Sequence, residues 1–247
     1  MSSHRFNFMF RCFAAALALA ALLSGAPLQA ARPTHSAVTP APRPDDWWTK
    51  MHDGFNERAK KGDVELVFLG DSITQGWADN DTWKKYYGPR HAANFGIGGD
   101  RTQHVLWRLE HGNFDGIKPK LVVLMIGTNN SNGADNTAAE IADGIKAIVA
   151  GLREKLPDTK VLLLGIFPRG DKPNPQREKN AQASELASKI ADDKHVFYLD
   201  IGSKFLEADG SLSKDVMPDY LHLSPKGYEI WADAIEPKVK ELLGEKG

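Results

Sequence analysis

The chain reads as an α/β protein, a parallel sheet covered on both faces by helices. Three observations predict this. Apolar runs at 65–69 (ELVFL), 121–126 (LVVLMI) and 161–166 (VLLLGI) are too continuous for half-exposed strands and suit strands buried on both sides. Between them, apolar residues recur every three or four positions, the helical repeat. Small and polar clusters follow the strand ends, where ligands sit in such sheets.

The elements follow in order. Residues 1–30 carry Arg5 and Arg11, an apolar run of 11 residues at 13–23 (FAAALALAALL), and small residues up to Ala30. This is the pattern of an export leader, because the run is short for a bilayer span; an uncleaved anchor is the other reading. It implies a periplasmic or secreted mature chain with no stable membrane insertion. Residues 31–44 (ARPTHSAVTPAPRP) are rich in Pro and small side chains and read as an extended linker. The folded domain is expected over 45–247. A helix is expected at 47–61, then the strand at 65–69 ending in Gly70, and a weaker strand at 91–95. The segment 102–111 is helical, with Val105, Leu106 and Leu109 on one face. After the strand at 121–126 comes a long helix at 137–156, where Ile141, Ile145, Ile148 and Leu152 recur at helical spacing. The strand at 161–166 leads to a loop at 168–175, a helix at 176–191 and a last strand at 196–200. Ser224 and Pro225 open the final helix, a hydroxyl cap followed by Pro at the first helical position.

Composition excludes several functions. The 247 residues hold 31 basic and 32 acidic side chains; without residues 1–30 these become 29 and 32, a net charge of −3. Nucleic acid as partner would require a basic excess. The single cysteine, Cys12, lies within the leader, so the mature chain is expected to have no disulfide, thiolate metal site or cysteine nucleophile. His91, His104, His111 and His195 lack ligand spacing to one another, and neither metal nor cofactor is expected.

The strand ends carry the candidate chemistry. Ser72 follows Gly70 at the end of the first strand. A serine hydroxyl is a weak nucleophile unless a base takes its proton. Ser72 could equally be the N-cap of a helix. Asp219 and His222, three residues apart, could supply base and orienting carboxylate from one turn. Taken alone they could also be a surface pair. The order Ser, Asp, His is that of the α/β-hydrolases, but the G-x-S-x-G elbow is absent, since Thr74 stands in its last place. Acyl transfer also needs donors aimed at the developing oxyanion. The Ser72 N–H, the bare backbone at Gly98 and Gly99, and the Asn129 amide are the candidates. The run from Gly96 to Gly99 could also be an ordinary turn. It is not a dinucleotide fingerprint, because Arg101 stands where that pattern needs glycine. Trp77 and Trp83 read as core or as substrate contacts. Arg169 and Lys172 read as site-lining or solvated.

Four blocks together resemble the SGNH (GDSL) hydrolase family. They are Gly70-Asp71-Ser72, Gly99 within 94–100 (NFGIGGD), 127–130 (GTNN), and Asp219 with His222. The longer run 94–112 (NFGIGGDRTQHVLWRLEHG), the PRG loop at 168–170 and DYLHLS at 219–224 resemble the platelet-activating-factor acetylhydrolase branch. The resemblance implies a three-layer α/β/α sandwich of flavodoxin-like type with about five parallel strands. It implies Ser72 as nucleophile, His222 as general base and then acid, and Asp219 as its orienting partner. Ser72, Gly99 and Asn129 would form the oxyanion hole, with no metal or cofactor. Ile73 and Leu221 match positions that close an acyl pocket, which favours short acyl groups such as acetyl; plain core packing is the other reading of both. The implied substrate is a small-molecule or polysaccharide ester, and a homodimer is a further implication. The alternatives are a lysophospholipase or thioesterase for long acyl chains, and a non-catalytic carbohydrate- or lipid-binding module.

Overall fold

The computed structural model describes residues 34–78 and 80–245. The expected leader at 1–30 lies outside them. Among the described residues no helix is long and apolar enough to cross a membrane.

Five strands form one sheet: β1 (Leu66–Gly70), β2 (Ala92–Gly96), β3 (Leu121–Met125), β4 (Lys160–Leu164) and β5 (Val196–Leu199). All pairs are parallel and the order is β2-β1-β3-β4-β5. This is the flavodoxin-like order, whose direction reverses between β1 and β3 and opens a crevice at their carboxyl ends. The register aligns those ends, pairing Gly70 with Gly96 on one side and Met125 on the other.

Side chains alternate along each strand between two cores. Val67, Leu69, Val122, Leu124, Val161 and Leu163 face the first, an aliphatic core. It is covered by α1 (Asp46–Lys60), α4 (Thr102–Glu110), α5 (Ala138–Lys155) and α6 (Pro175–Ser188). Leu66, Phe68, Val123, Met125, Leu162 and Leu164 face the second. That core is aromatic, with Trp77, Tyr87, Phe167, Tyr228 and Trp231, and is covered by α2 (Ser72–Gln75), α3 (Asp81–Tyr86) and α7 (Pro225–Leu243). The three-layer α/β/α class is as the sequence implies, and the periodic elements fall within a few residues of expectation. The short α2 was open only as a helix that Ser72 could cap, and α3 was not foreseen, because one turn of helix carries too little periodicity to register.

The expected linker is corrected by the structure from residue 34 onward. Ser36–Val38 form a turn of 3-10 helix with Ala37 fully buried. Thr102 Oγ1 donates to the Ala37 carbonyl at 2.8 Å, Asn136 Nδ2 to Ser36 Oγ at 3.0 Å, and the Ala41 N–H to the Gln103 carbonyl at 3.2 Å. Gly144 of α5 leaves room for this arm: a Cβ there would lie 2.6 Å from the Ala37 carbonyl oxygen. Composition suggests a free segment, but these contacts fix it to the first helix layer.

Candidate active site

β1 delivers Ser72 to the crevice. At its end only glycine fits, since a Cβ on Gly70 would lie 2.3 Å from the Met125 carbonyl oxygen and 2.2 Å from Thr74 Oγ1. Asp71, not Ser72, caps α2: its Oδ1 accepts the Ile73 N–H at 3.0 Å. Ser72 is therefore the first helical residue, and its side chain is free for other partners. Burial raises the Asp71 carboxyl to about 7, an effect the Ile73 N–H only partly offsets. Tyr228 Oη of α7 donates to the Ile73 carbonyl at 2.8 Å and ties α2 to the final helix.

The turn before α7 brings the partners. Asp219 Oδ1 accepts the N–H groups of Leu221 (3.0 Å) and His222 (2.7 Å). Between them Tyr220 takes a left-handed conformation, φ +60°, uncommon for a bulky side chain. Its backbone is held there, with its N–H on the Met217 carbonyl (2.9 Å) and its own carbonyl accepting the Gly170 N–H (2.8 Å). His222 Nδ1 lies 2.6 Å from Asp219 Oδ2, and His222 Nε2 lies 2.9 Å from Ser72 Oγ. With a carboxylate at Nδ1, that nitrogen carries the proton and Nε2 accepts from the serine hydroxyl. Desolvation pushes the Asp219 carboxyl up, but the His222 ring and the His222 and Leu221 amides outweigh it and hold Asp219 below its ordinary range.

The three expected oxyanion donors lie on the segments that follow β1, β2 and β3. A methyl on Gly98 would lie 3.7 Å from Ser72 Cβ, so the loop after β2 packs directly on the serine. Gly99 is exposed at φ +76°, a conformation that favours glycine. Asn129, after β3, donates one amide hydrogen to the Asp100 carbonyl at 2.9 Å, which ties the β3 loop to the β2 loop.

The expected substrate contacts separate. Ile73 is buried in the aromatic core. Successive helical residues point about 100° apart, so Ser72 facing the crevice turns Ile73 inward. Leu221 is half-buried and lines a cleft of about 410 Å³ beside Asp219, together with Arg169, Asp171, Asn174, Gln176 and Tyr220. Arg169 donates to the Thr128 carbonyl (3.3 Å) and to Asn132 Oδ1 (3.2 Å), so it lines the site and is not merely solvated. Trp77 is core, fully buried and 5.0 Å from Trp231 between ring centroids. Among the described residues no three His, Cys, Asp or Glu side chains gather as metal ligands would.

Sequence reasoning missed the floor of the site. Asp100 is fully buried and accepts from Trp48 Nε1 (2.7 Å) and Arg108 Nη1 (2.8 Å). Arg108, also fully buried, gives its other terminal nitrogen to the Phe95 carbonyl at 2.6 Å. The available signal was Arg108 lying between Val105 and Leu109, on the face of α4 that turns inward.

Comparison with known proteins agrees with this fold. The model of the GDSL-like lipase/acylhydrolase family matches residues 68–230. The chain is 43% identical over 202 residues to the human platelet-activating factor acetylhydrolase IB subunit alpha1, covering 81% of this chain and 86% of that one. Among solved structures it is similar to a catalytic mutant of an acetylxylan esterase from Geobacillus stearothermophilus. There the TM-score is 0.58 at 20% identity, over 74% of this chain and 95% of that one. A GDSL-like lipase from Bacteroides thetaiotaomicron superposes with a TM-score of 0.58 at 21% identity, over 78% and 97% of the two chains.

Proposed function

Because the chain belongs to the GDSL-like lipase/acylhydrolase family, and so is a carboxylic ester hydrolase, we propose that it cleaves short acyl esters, acetyl foremost, through an acyl-enzyme on Ser72. The observation that carries this reading is the continuous relay from Ser72 Oγ through the His222 ring to Asp219, at 2.9 and 2.6 Å.

Ser72 Oγ attacks the ester carbonyl as His222 Nε2 takes its proton. Asp219, held ionised, stabilises the imidazolium and keeps its orientation. The oxyanion forms against the N–H groups of Ser72 and Gly99 and the remaining amide hydrogen of Asn129. As the tetrahedral centre collapses, His222 returns its proton to the departing alcohol. Water then enters, deprotonated by the same ring, and releases the acid with Ser72 restored.

The acyl preference follows from what surrounds the triad. Each methylene of an acyl chain gains about 0.8 kcal/mol only where apolar surface receives it. The cleft beside Asp219 offers Arg169, Asp171, Asn174 and Gln176 instead, with Leu221 as its apolar wall. Such a lining suits a polar alcohol and a small acyl group. The names of two similar proteins, an acetylhydrolase and an acetylxylan esterase, point the same way.

Hydrolysis of p-nitrophenyl esters from acetate to palmitate tests the proposal. Turnover should be greatest on acetate and fall with chain length, and Ser72→Ala should lose at least about a thousandfold in kcat. A maximum at long chains would move the reading to a lysophospholipase or thioesterase. A fully active Ser72→Ala variant would remove the serine mechanism.

A further inference from the structure

The arm ahead of α1 reaches the crevice through one side chain. Arg43 Nη1 donates to the Gly98 carbonyl at 2.6 Å. The guanidinium is steadied by Asp45, whose Oδ2 lies 3.2 Å from Nε and 3.1 Å from Nη2, and it stacks 4.9 Å from the centre of the Trp47 ring. Arg43 is thus already in place, and little is left to organise on binding.

The Gly98 carbonyl and the Gly99 N–H belong to one peptide unit. In a trans peptide they point in opposite directions, and the unit is planar. Fixing the carbonyl toward the arm therefore aims the N–H to the other side of the loop. The neighbouring peptide is pinned as well, since the Gly98 N–H donates to Gln75 Oε1 at 2.6 Å, on the same short helix as Ser72. Among the described residues no acceptor takes the Gly99 N–H.

A peptide between two glycines turns over at small conformational cost, because neither residue has a Cβ to restrict it. Turned over, it would present a carbonyl oxygen where a donor is required and so repel an oxyanion. The arginine opposes this in two ways. Its charge-assisted hydrogen bond is roughly twice as strong as a neutral one. By polarising the carbonyl it also makes the N–H of that peptide a better donor.

We infer that Arg43 is a positioning residue that locks the Gly98–Gly99 peptide with the Gly99 N–H turned to Ser72. The inference rests on the serine ester hydrolase reading above. It makes the N-terminal arm part of the catalytic apparatus: whatever lifts residues 36–43 from the first helix layer also releases the oxyanion loop.

The test compares wild type, Arg43→Ala, Arg43→Lys and Ser72→Ala, each as the full chain, on p-nitrophenyl acetate. Arg43→Ala should lower kcat roughly ten- to hundredfold, less than the loss of an oxyanion donor outright. KM should stay within about twofold, because the contact matters only when the oxyanion forms. Lysine should be intermediate, and ethylguanidinium added to the alanine variant should restore part of kcat. If the alanine variant fails to fold, Arg43→Gln reads the same split. A kcat for Arg43→Ala within about twofold of wild type, with Ser72→Ala inactive, overturns the inference and leaves the serine mechanism standing. So does a loss in which kcat, KM and melting temperature move together and guanidinium restores nothing. An active Ser72→Ala variant overturns both.

Discussion

Two carboxylates near the crevice each hold a basic side chain, and almost everything else about the pairs differs. Asp219 and His222 are three residues apart on one turn, 2.6 Å between ring and carboxylate, with side chains 55% and 46% exposed. Asp100 and Arg108 meet at 2.8 Å with both side chains fully buried. The first pair is open to solvent, as a proton carrier in the proposed mechanism must be. The second is fixed: burial pushes the Asp100 carboxyl up and the Arg108 guanidinium down, and each charge persists because the other faces it. In the proposed mechanism the exposed pair does the chemistry. The buried pair braces the loop carrying Gly99, since the Asp100 carbonyl receives the Asn129 amide and its carboxylate ties that loop to α1 and α4.

This division can be broken from either side. Asp219→Asn removes the charge that holds the His222 ring and should lower kcat by roughly a hundred- to ten-thousandfold. Its melting temperature should barely move, because the lost contact is exposed. A large drop in melting temperature would show that the turn is structural and not a catalytic fitting. Arg108→Ala should act the other way, destabilising the fold by about 3–5 kcal/mol as Asp100 is left buried and unpaired. Urea unfolding reads this directly. A loss below about 1 kcal/mol would mean that water or a proton compensates Asp100, and that the pair is not a brace.

The smallest effect separates a third carboxylate from both pairs. Asp71 is fully buried, makes no ion pair among the described residues, and is raised from 3.8 to about 7. Between those values the native chain holds a proton that the unfolded chain has lost. Stability owed to this group therefore falls as pH rises from 3.8 to about 7, then levels off. Asp71→Asn keeps an oxygen for the Ile73 N–H and removes that dependence. Relative to wild type the variant should gain stability on going from pH 5 to pH 8, by a few kcal/mol at most. An equal difference at both pH values would show that Asp71 titrates as an ordinary carboxylate.

Much of this was legible in the sequence because it is local. Alternation of apolar runs and helical repeats reports which residues can share a face, so the strands and longer helices are placed within a few residues. Pro225 after Ser224 marks the start of α7 for the same reason. Asp219 and His222 are readable as a pair because three residues set their separation. What failed to register depends on contacts distant in the chain. Residues 34–44 have the composition of a linker, yet Ala37, Ser36 and Arg43 are held by Thr102, Asn136 and Gly98. Ile73 beside Ser72 reads equally as pocket wall or core until the direction of α2 is known. Arg108 lies on the inward face of α4, but nothing local in the sequence names Asp100 as the partner of its charge.

By itself the sequence determined the layer class, the strand-end positions of the reactive residues and the turn joining Asp219 to His222. Each follows from periodicity or from the reach of a few bonds. Tertiary structure alone decided that Ser72 and His222, 150 residues apart, stand 2.9 Å from each other. It also decided that a Pro-rich arm reaches the loop carrying Gly98 and Gly99. Such meetings are set by the order and register of strands in the sheet, and no local pattern of side chains encodes where two distant strand ends will be brought together.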